Sequence, residues 1–352
     1  MPGNTLHADY PWTSPDAPFV VAAPMMKITL GRLAVSVSAN GGLGFLAGGF
    51  DLSPLAKDLG ETAEFAKSQG LQLHDGILPI GVGFQNWGSD LQLALAALKE
   101  HPVAAVWFFA PKQLSDLLDW AKQIRAVSGG KTKIWVQIGT VAEALEVAKT
   151  TQPDVIVIQG ADSGGHGLAQ RASLLTLLPE VIDALAEERI DIPVIAAGGI
   201  VDGRGAAAAL TLGAAGVALG TRFLACSEAV IAKGYQDQVL SVTDGGASTV
   251  GTTIYDVVRG IHGWPRAYNG RGIANSTYHD AEQGMSEAEN VEKYETAVQQ
   301  GDAGWGPEGR MTTYAGTGVG LVREVMSAGE IVKSVQKEAV QTLQRSTAKY
   351  VK

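Results

Sequence analysis

Between Phe19 and Leu219 the chain alternates short, apolar, β-prone runs with longer segments of helical periodicity, and it does so eight times. The strand candidates are Phe19–Ala23, Leu43–Ala47, Leu78–Phe84, Val103–Phe109, Lys133–Ile138, Val155–Gln159, Pro193–Ala197 and Gly216–Leu219. A helix between consecutive strands returns the chain to the same end of the sheet, so neighbouring strands pair in parallel and need cover. Local punctuation agrees with this reading. Ser53-Pro54 followed by Asp58 and Glu61 marks a helix start, Ala110-Pro111 closes the strand holding Trp107, Phe108 and Phe109, and Asp191-Ile192-Pro193 separates the sixth helix from the seventh strand. Eight units of this kind predict an α/β chain folded as a (β/α)₈ TIM barrel.

Such a barrel takes about 250 residues, and this chain has 352. The surplus falls late. From Tyr235 to Tyr314 apolar periodicity gives way to Gly, Asn, Thr and Tyr, which predicts a lid or subdomain inserted after the eighth strand, with a helix of its own near Ser286 to Gln299. Val322, Val325, Ile331, Val332 and Val335 predict a C-terminal helix packing back on the barrel. The expected organisation is a barrel core over residues 1–234, the insert over 235–314, and a returning loop and helix over 315–352.

Charge and motif content exclude several classes of function. A formal net charge of −9 argues against a nucleic-acid or anionic membrane partner. No apolar run approaches the ~18 residues of a membrane span, and the first residues lack the apolar core of a signal peptide. Cys226 is the only cysteine, so intrachain disulfides, CxxC redox pairs and thiolate metal cages are out, and a soluble, cytoplasmic protein is expected. No HExxH, Walker A or GxSxG motif occurs, and no metal site is expected. Gly41-Gly42-Leu43-Gly44 precedes a strand where a dinucleotide fingerprint would follow one, which excludes a Rossmann reading.

The 44 glycines gather at the ends of apolar runs, and there the chemistry is concentrated. Barrel enzymes build their sites at the C-terminal ends of strands, and the loops after strands seven and eight commonly hold phosphate with help from a helix N-terminus. Here the seventh strand ends in Ala197-Gly198-Gly199 before Asp202-Gly203-Arg204-Gly205, and the eighth in Ala218-Leu219-Gly220-Thr221. Glycine lets backbone N–H groups approach an anion, and Thr221 adds a hydroxyl. Either cluster alone could be a plain tight turn; two on successive strands favour a phosphate cradle. After the sixth strand comes Gln159-Gly160-Ala161-Asp162-Ser163-Gly164-Gly165-His166, which sets a histidine in a loop on the catalytic face, a candidate base or electrostatic stabiliser. Asp162 is read as an orienting or turn-capping residue. Met25, after the first strand, offers a polarizable side chain to a planar ring, and Gln137, at the end of the fifth, an amide.

Together these segments resemble the nitronate monooxygenase family, long called 2-nitropropane dioxygenases. The similarity spans about Phe19 to Glu228 and returns at Ala315-Gly316-Thr317-Gly318-Val319-Gly320-Leu321, which resembles the family's late flavin-side loop. The resemblance implies noncovalent FMN at Met25, Gln159, Gly164, Gly198, Gly199, Ala218, Leu219, Gly220 and Thr221, with the late loop at Gly316 beside it and His166 as the catalytic histidine; Gln137 joins the cofactor-binding candidates by its place at the end of the fifth strand. It implies small-molecule partners, an alkyl nitronate or nitroalkane and O₂, with electrons passing one at a time through the flavin to give a carbonyl compound and nitrite. Where many relatives carry Asn after Gly-Val at the end of strand three, this chain has Gly81-Val82-Gly83-Phe84, leaving Gln85, Asn86 or the Gly83 backbone to substitute. Related flavin barrels include enoyl-acyl-carrier-protein and quinone reductases, so an NAD(P)H-dependent reductase and an inactive flavin-binding scaffold stay open as alternatives. A homodimer is the candidate assembly.

Overall fold

The computed structural model describes residues 5–306 and 308–351. Among the described residues eleven strands form: β1 Val20–Ala22, β2 Leu43–Gly49, β3 Leu78–Gln85, β4 Val103–Phe109, β5 Lys133–Ile138, β6 Val155–Gln159, β7 Gly165–Leu168, β8 Val194–Ala197, β9 Gly216–Leu219, β10 Thr249–Thr252 and β11 Tyr268–Ile273. Eight of them close a barrel in the order β1-β2-β3-β4-β5-β6-β8-β9, and β9 returns to β1 in parallel register, Val20 opposite Val217 and Ala22 opposite Leu219. These eight are the expected strands, and the fold is the expected (β/α)₈ barrel.

Alternation along the strands sorts side chains into two layers. Inside the barrel Phe45, Trp107, Trp135, Val157, Ile195 and Ala218 pack together, joined by Tyr10, whose hydroxyl accepts a 2.7 Å hydrogen bond from the Trp135 indole. Outside, residues such as Val82, Val106, Ile156 and Leu219 face the surrounding helices. The helix Leu55–Ser68 begins where expected, but Ser53 does not cap it; its hydroxyl donates to Asp51 instead, at 2.7 Å.

The last βα unit departs from the simple repeat. A one-turn helix, Thr221–Leu224, follows β9, and the eighth outer position is filled by the 23-residue helix Ala328–Tyr350, which packs against the helices Gly203–Thr211 and Gly31–Ser38. A capping box of Ser327 and Glu330 starts it, and Ile331, Val332 and Val335 are buried against the barrel; Val322 and Val325 precede it. The chain between Thr221–Leu224 and this helix carries the short helix Ile254–Val258, the strands β10 and β11, and the helix Glu287–Gln299. The two strands join β7 in a small antiparallel sheet of order β10-β11-β7, in which Gly270 stands opposite His166. The segment after the barrel thereby clasps the loop that follows β6.

Candidate active site

At the C-terminal ends of the strands lies a cavity of about 560 Å³. Of the residues singled out from sequence, Met25, Gln137, Gln159, Gly164, His166, Gly198, Gly199, Ala218, Gly220 and Thr221 line it, as does Gln85. Leu219 and Gly316 do not. Leu219 alternates with Ala218 along β9 and is buried in the outer layer. Gly316 donates its N–H to the Thr221 hydroxyl at 3.0 Å, so it supports the lining from behind.

Two glycine pairs shape this end of the barrel for different reasons. Gly198 and Gly199 have φ of +108° and +76°, a left-handed conformation that other residues adopt only with strain. Their N–H groups and that of Gly220 have no protein acceptor among the described residues. Gly164 and Gly316 mark a crossing of two loops: a Cβ on Gly164 would stand 2.3 Å from the Gly316 nitrogen. The helix Gly203–Thr211 does not reach the cavity lining, contrary to expectation. Asp202 accepts from the N–H groups of Arg204 and Gly205 at 2.9 and 3.2 Å, and Glu338 accepts from Gly203 at 2.8 Å, so its N-terminus is already satisfied by carboxylates.

His166 sits in β7, not in free loop, and three features hold β7 in place. The Gln159 amide donates to the His166 carbonyl at 2.9 Å, β11 pairs along its other edge, and Arg171 ties the turn by donating to the Gly160 carbonyl at 3.2 Å and the Ser163 hydroxyl at 2.8 Å. Burial, with Arg271 nearby, brings Arg171 down to about 10, still high enough to keep it charged near neutral pH. Asp162 anchors the late loop, its carbonyl accepting from Thr317 N–H at 3.0 Å.

The imidazole has partners that sequence reasoning missed. Its Nε2 lies 2.9 and 3.0 Å from the two carboxylate oxygens of Asp256, on Ile254–Val258, and its ring stacks on Trp264 with centroids 3.8 Å apart and planes 4° from parallel. Tyr314 donates its hydroxyl to Asp256 at 3.0 Å, and Tyr235 donates to the Tyr314 carbonyl at 2.8 Å. Burial and the adjacent Asp256 carboxylate push the Tyr314 phenol well above its ordinary value, so it remains a donor. Arg259 caps the Tyr314 ring at 5.5 Å. The one signal in the sequence was the density of aromatic residues around an acid and an arginine in a segment without periodicity.

The lining carries no aspartate or glutamate, while Lys27, Arg259 and His166 contribute to it, so a chain of net charge −9 keeps a cavity suited to anions. Gln137 accepts from the Trp107 indole at 2.9 Å, which leaves its NH₂ end free among the described residues, and Gln85 Oε1 is buried without a partner among them. Asn86 Oδ1 accepts from the Phe109 N–H at 2.9 Å and its Nδ2 is buried without a partner among the described residues, but Asn86 does not line the cavity. Among the described residues no helix is long and apolar enough to cross a membrane.

An α/β barrel whose catalytic face joins backbone donors without a protein acceptor among the described residues to a histidine–carboxylate pair has the layout of an enzyme. Comparison with known proteins gives the family. The model of the nitronate monooxygenase family matches residues 114–338. Nitronate monooxygenase npaC of Metarhizium robertsii is 48% identical over 341 residues, covering 96% of this chain and 94% of that protein. A nitronate monooxygenase of Neurospora crassa is 36% identical, covering 94% and 91%. The chain belongs to the nitronate monooxygenase family of oxidoreductases. Solved structures of FabK from Thermotoga maritima and of a nitroalkane oxidase from Streptomyces ansochromogenes each superpose with a TM-score of 0.73. Their identities are 22% and 23%, and they cover 98% and 97% of this chain and 99% of their own. At that identity the likeness is one of fold.

Proposed function

We propose that the protein holds FMN on the catalytic face of its barrel and oxidises alkyl nitronates with O₂ to a carbonyl compound and nitrite. The observation that carries this reading is the cavity itself, where acceptor-free amides at Gly198, Gly199 and Gly220 meet the Thr221 hydroxyl in a lining without carboxylates. Those groups would take the phosphate. Met25 and the NH₂ end of Gln137 would lie at the ring, and Gln85, with its orphaned Oε1, would stand in for the asparagine this chain lacks after β3. When bound, the flavin accepts electrons from the nitronate and returns them to O₂. Two nitronate anions and one O₂ balance two carbonyl compounds and two nitrites. His166 would hold the nitronate's negative charge or remove the α-proton of a neutral nitroalkane. Cytoplasmic function belongs to the same proposal: Cys226 is buried and pushed up to about 12 by that burial, so the fold relies on no oxidised thiol.

The test is a visible spectrum of the purified protein followed by anaerobic mixing. Flavin bands that bleach with an alkyl nitronate are the expected result. A colourless protein would sink the proposal, and bleaching by NADH or NADPH but not by nitronate would make the enzyme a reductase. In His166→Ala, turnover of a neutral nitroalkane should fall by about 10²-fold or more with the flavin retained; unchanged turnover of both nitroalkane and nitronate would remove His166 from the mechanism.

A further inference from the structure

We propose that Asp256, carried by the segment beyond the barrel, is the positioning residue that makes His166 a proton acceptor at Nδ1 and equips the enzyme for neutral nitroalkanes. This rests on the flavin-dependent reading above and chooses between the two roles open to His166.

A carboxylate can only accept hydrogen bonds, so Nε2, at 2.9 and 3.0 Å from the Asp256 oxygens, must carry a hydrogen. In the neutral ring the lone pair is then on Nδ1. That nitrogen has no hydrogen-bond partner among the described residues, and the ring it belongs to lines the cavity. The pair is nearly buried, with side-chain exposures of 10% and 9%, so water does little to weaken it or to scramble the tautomer. Tyr314 fixes Asp256 from a second direction.

The surroundings also suit the charged product. In the proposed step the Cα–H bond of the nitroalkane breaks, its electron pair becomes the C=N bond of the nitronate, and the proton goes to Nδ1. The ring becomes an imidazolium held between the Asp256 carboxylate and the face of Trp264, stacked at 3.8 Å. The nitronate that forms is the substrate of the oxidation proposed above. A pre-formed nitronate needs no such base.

Asp256→Asn separates this role from mere support. The Tyr314 hydroxyl requires an acceptor and would take the new amide's oxygen, turning the NH₂ toward Nε2. The ring would then have to place its hydrogen on Nδ1, the wrong tautomer for a base. Nitroalkane turnover should therefore fall at least tenfold further than turnover of the corresponding nitronate, on the order of 10²-fold in all. The ¹⁵N resonances of His166 should move from an Nε2-protonated to an Nδ1-protonated ring. Equal losses on the two substrates with flavin retained would overturn the proposal, leaving Asp256 a structural staple. So would an Nδ1-protonated neutral imidazole in the wild-type protein, a measurement that needs no variant to fold. Failure of the flavin reading would show separately, as absence of nitronate turnover by the wild type, and the tautomer measurement does not depend on it.

Discussion

The barrel and the segment beyond it reach the same cavity with different materials. The barrel offers backbone: the turns after β8 and β9 present N–H groups of Gly198, Gly199 and Gly220 on a frame fixed by eight closed strands. The later segment offers side chains: Asp256, Trp264 and Tyr314 surround one imidazole and hold one another. Backbone donors recognise an anion whatever its attached chemistry, whereas a side-chain network chooses a protonation state. The contrast suggests that holding the cofactor and handling the substrate can be broken separately.

The sharpest break is expected on the barrel side. Val in place of Gly198 would require a left-handed backbone at φ +108° and a Cβ 2.9 Å from the Gly160 carbonyl oxygen. Strain on the order of 1–3 kcal/mol would displace the amides from the cradle and weaken flavin binding roughly tenfold to a hundredfold. Flavin content after gel filtration, with a melt to show the fold persists, measures it. Full flavin retention would mean the glycines make a turn and nothing more.

On the other side a smaller effect is expected. Tyr314→Phe keeps the ring that packs beside His166 and the carbonyl that Tyr235 uses, and deletes one hydrogen bond to Asp256. The ratio of nitroalkane to nitronate turnover should fall roughly threefold to tenfold, the range set by one net hydrogen bond, with flavin binding intact. Flavin loss in this variant would erase the division of labour between the two regions.

That division also tracks what could be seen in the sequence. The eight barrel strands and the glycine turns were legible because period, punctuation and glycine placement are local properties of the chain. His166 was legible as a residue but not as part of a strand. Gly165–Leu168 has little strand propensity of its own, and its partner β11 lies about a hundred residues further on. Asp256 left only the cluster of aromatic residues around it, since its helix spans only five residues and its partner is 90 positions away. Leu219 was placed at the cofactor with its neighbours, whereas the two-residue alternation of β9 turns Ala218 to the cavity and Leu219 to the helices.

The helix Gly203–Thr211 shows how local motif reading overreached. Asp202-Gly203-Arg204-Gly205 has the look of a helix start that receives phosphate, yet Asp202 and Glu338 already satisfy its first N–H groups. A carboxylate at that position excludes a second anion by repulsion and stabilises the helix as an N-cap. Asp202→Ala should therefore cost about 1 kcal/mol, seen as a melting shift on the order of 1–2 °C for a chain this long. Flavin affinity should not change. A rise in affinity would mean that the carboxylate had been competing with phosphate for those N–H groups, and would bring the helix back into the cradle beside Gly198 and Gly199.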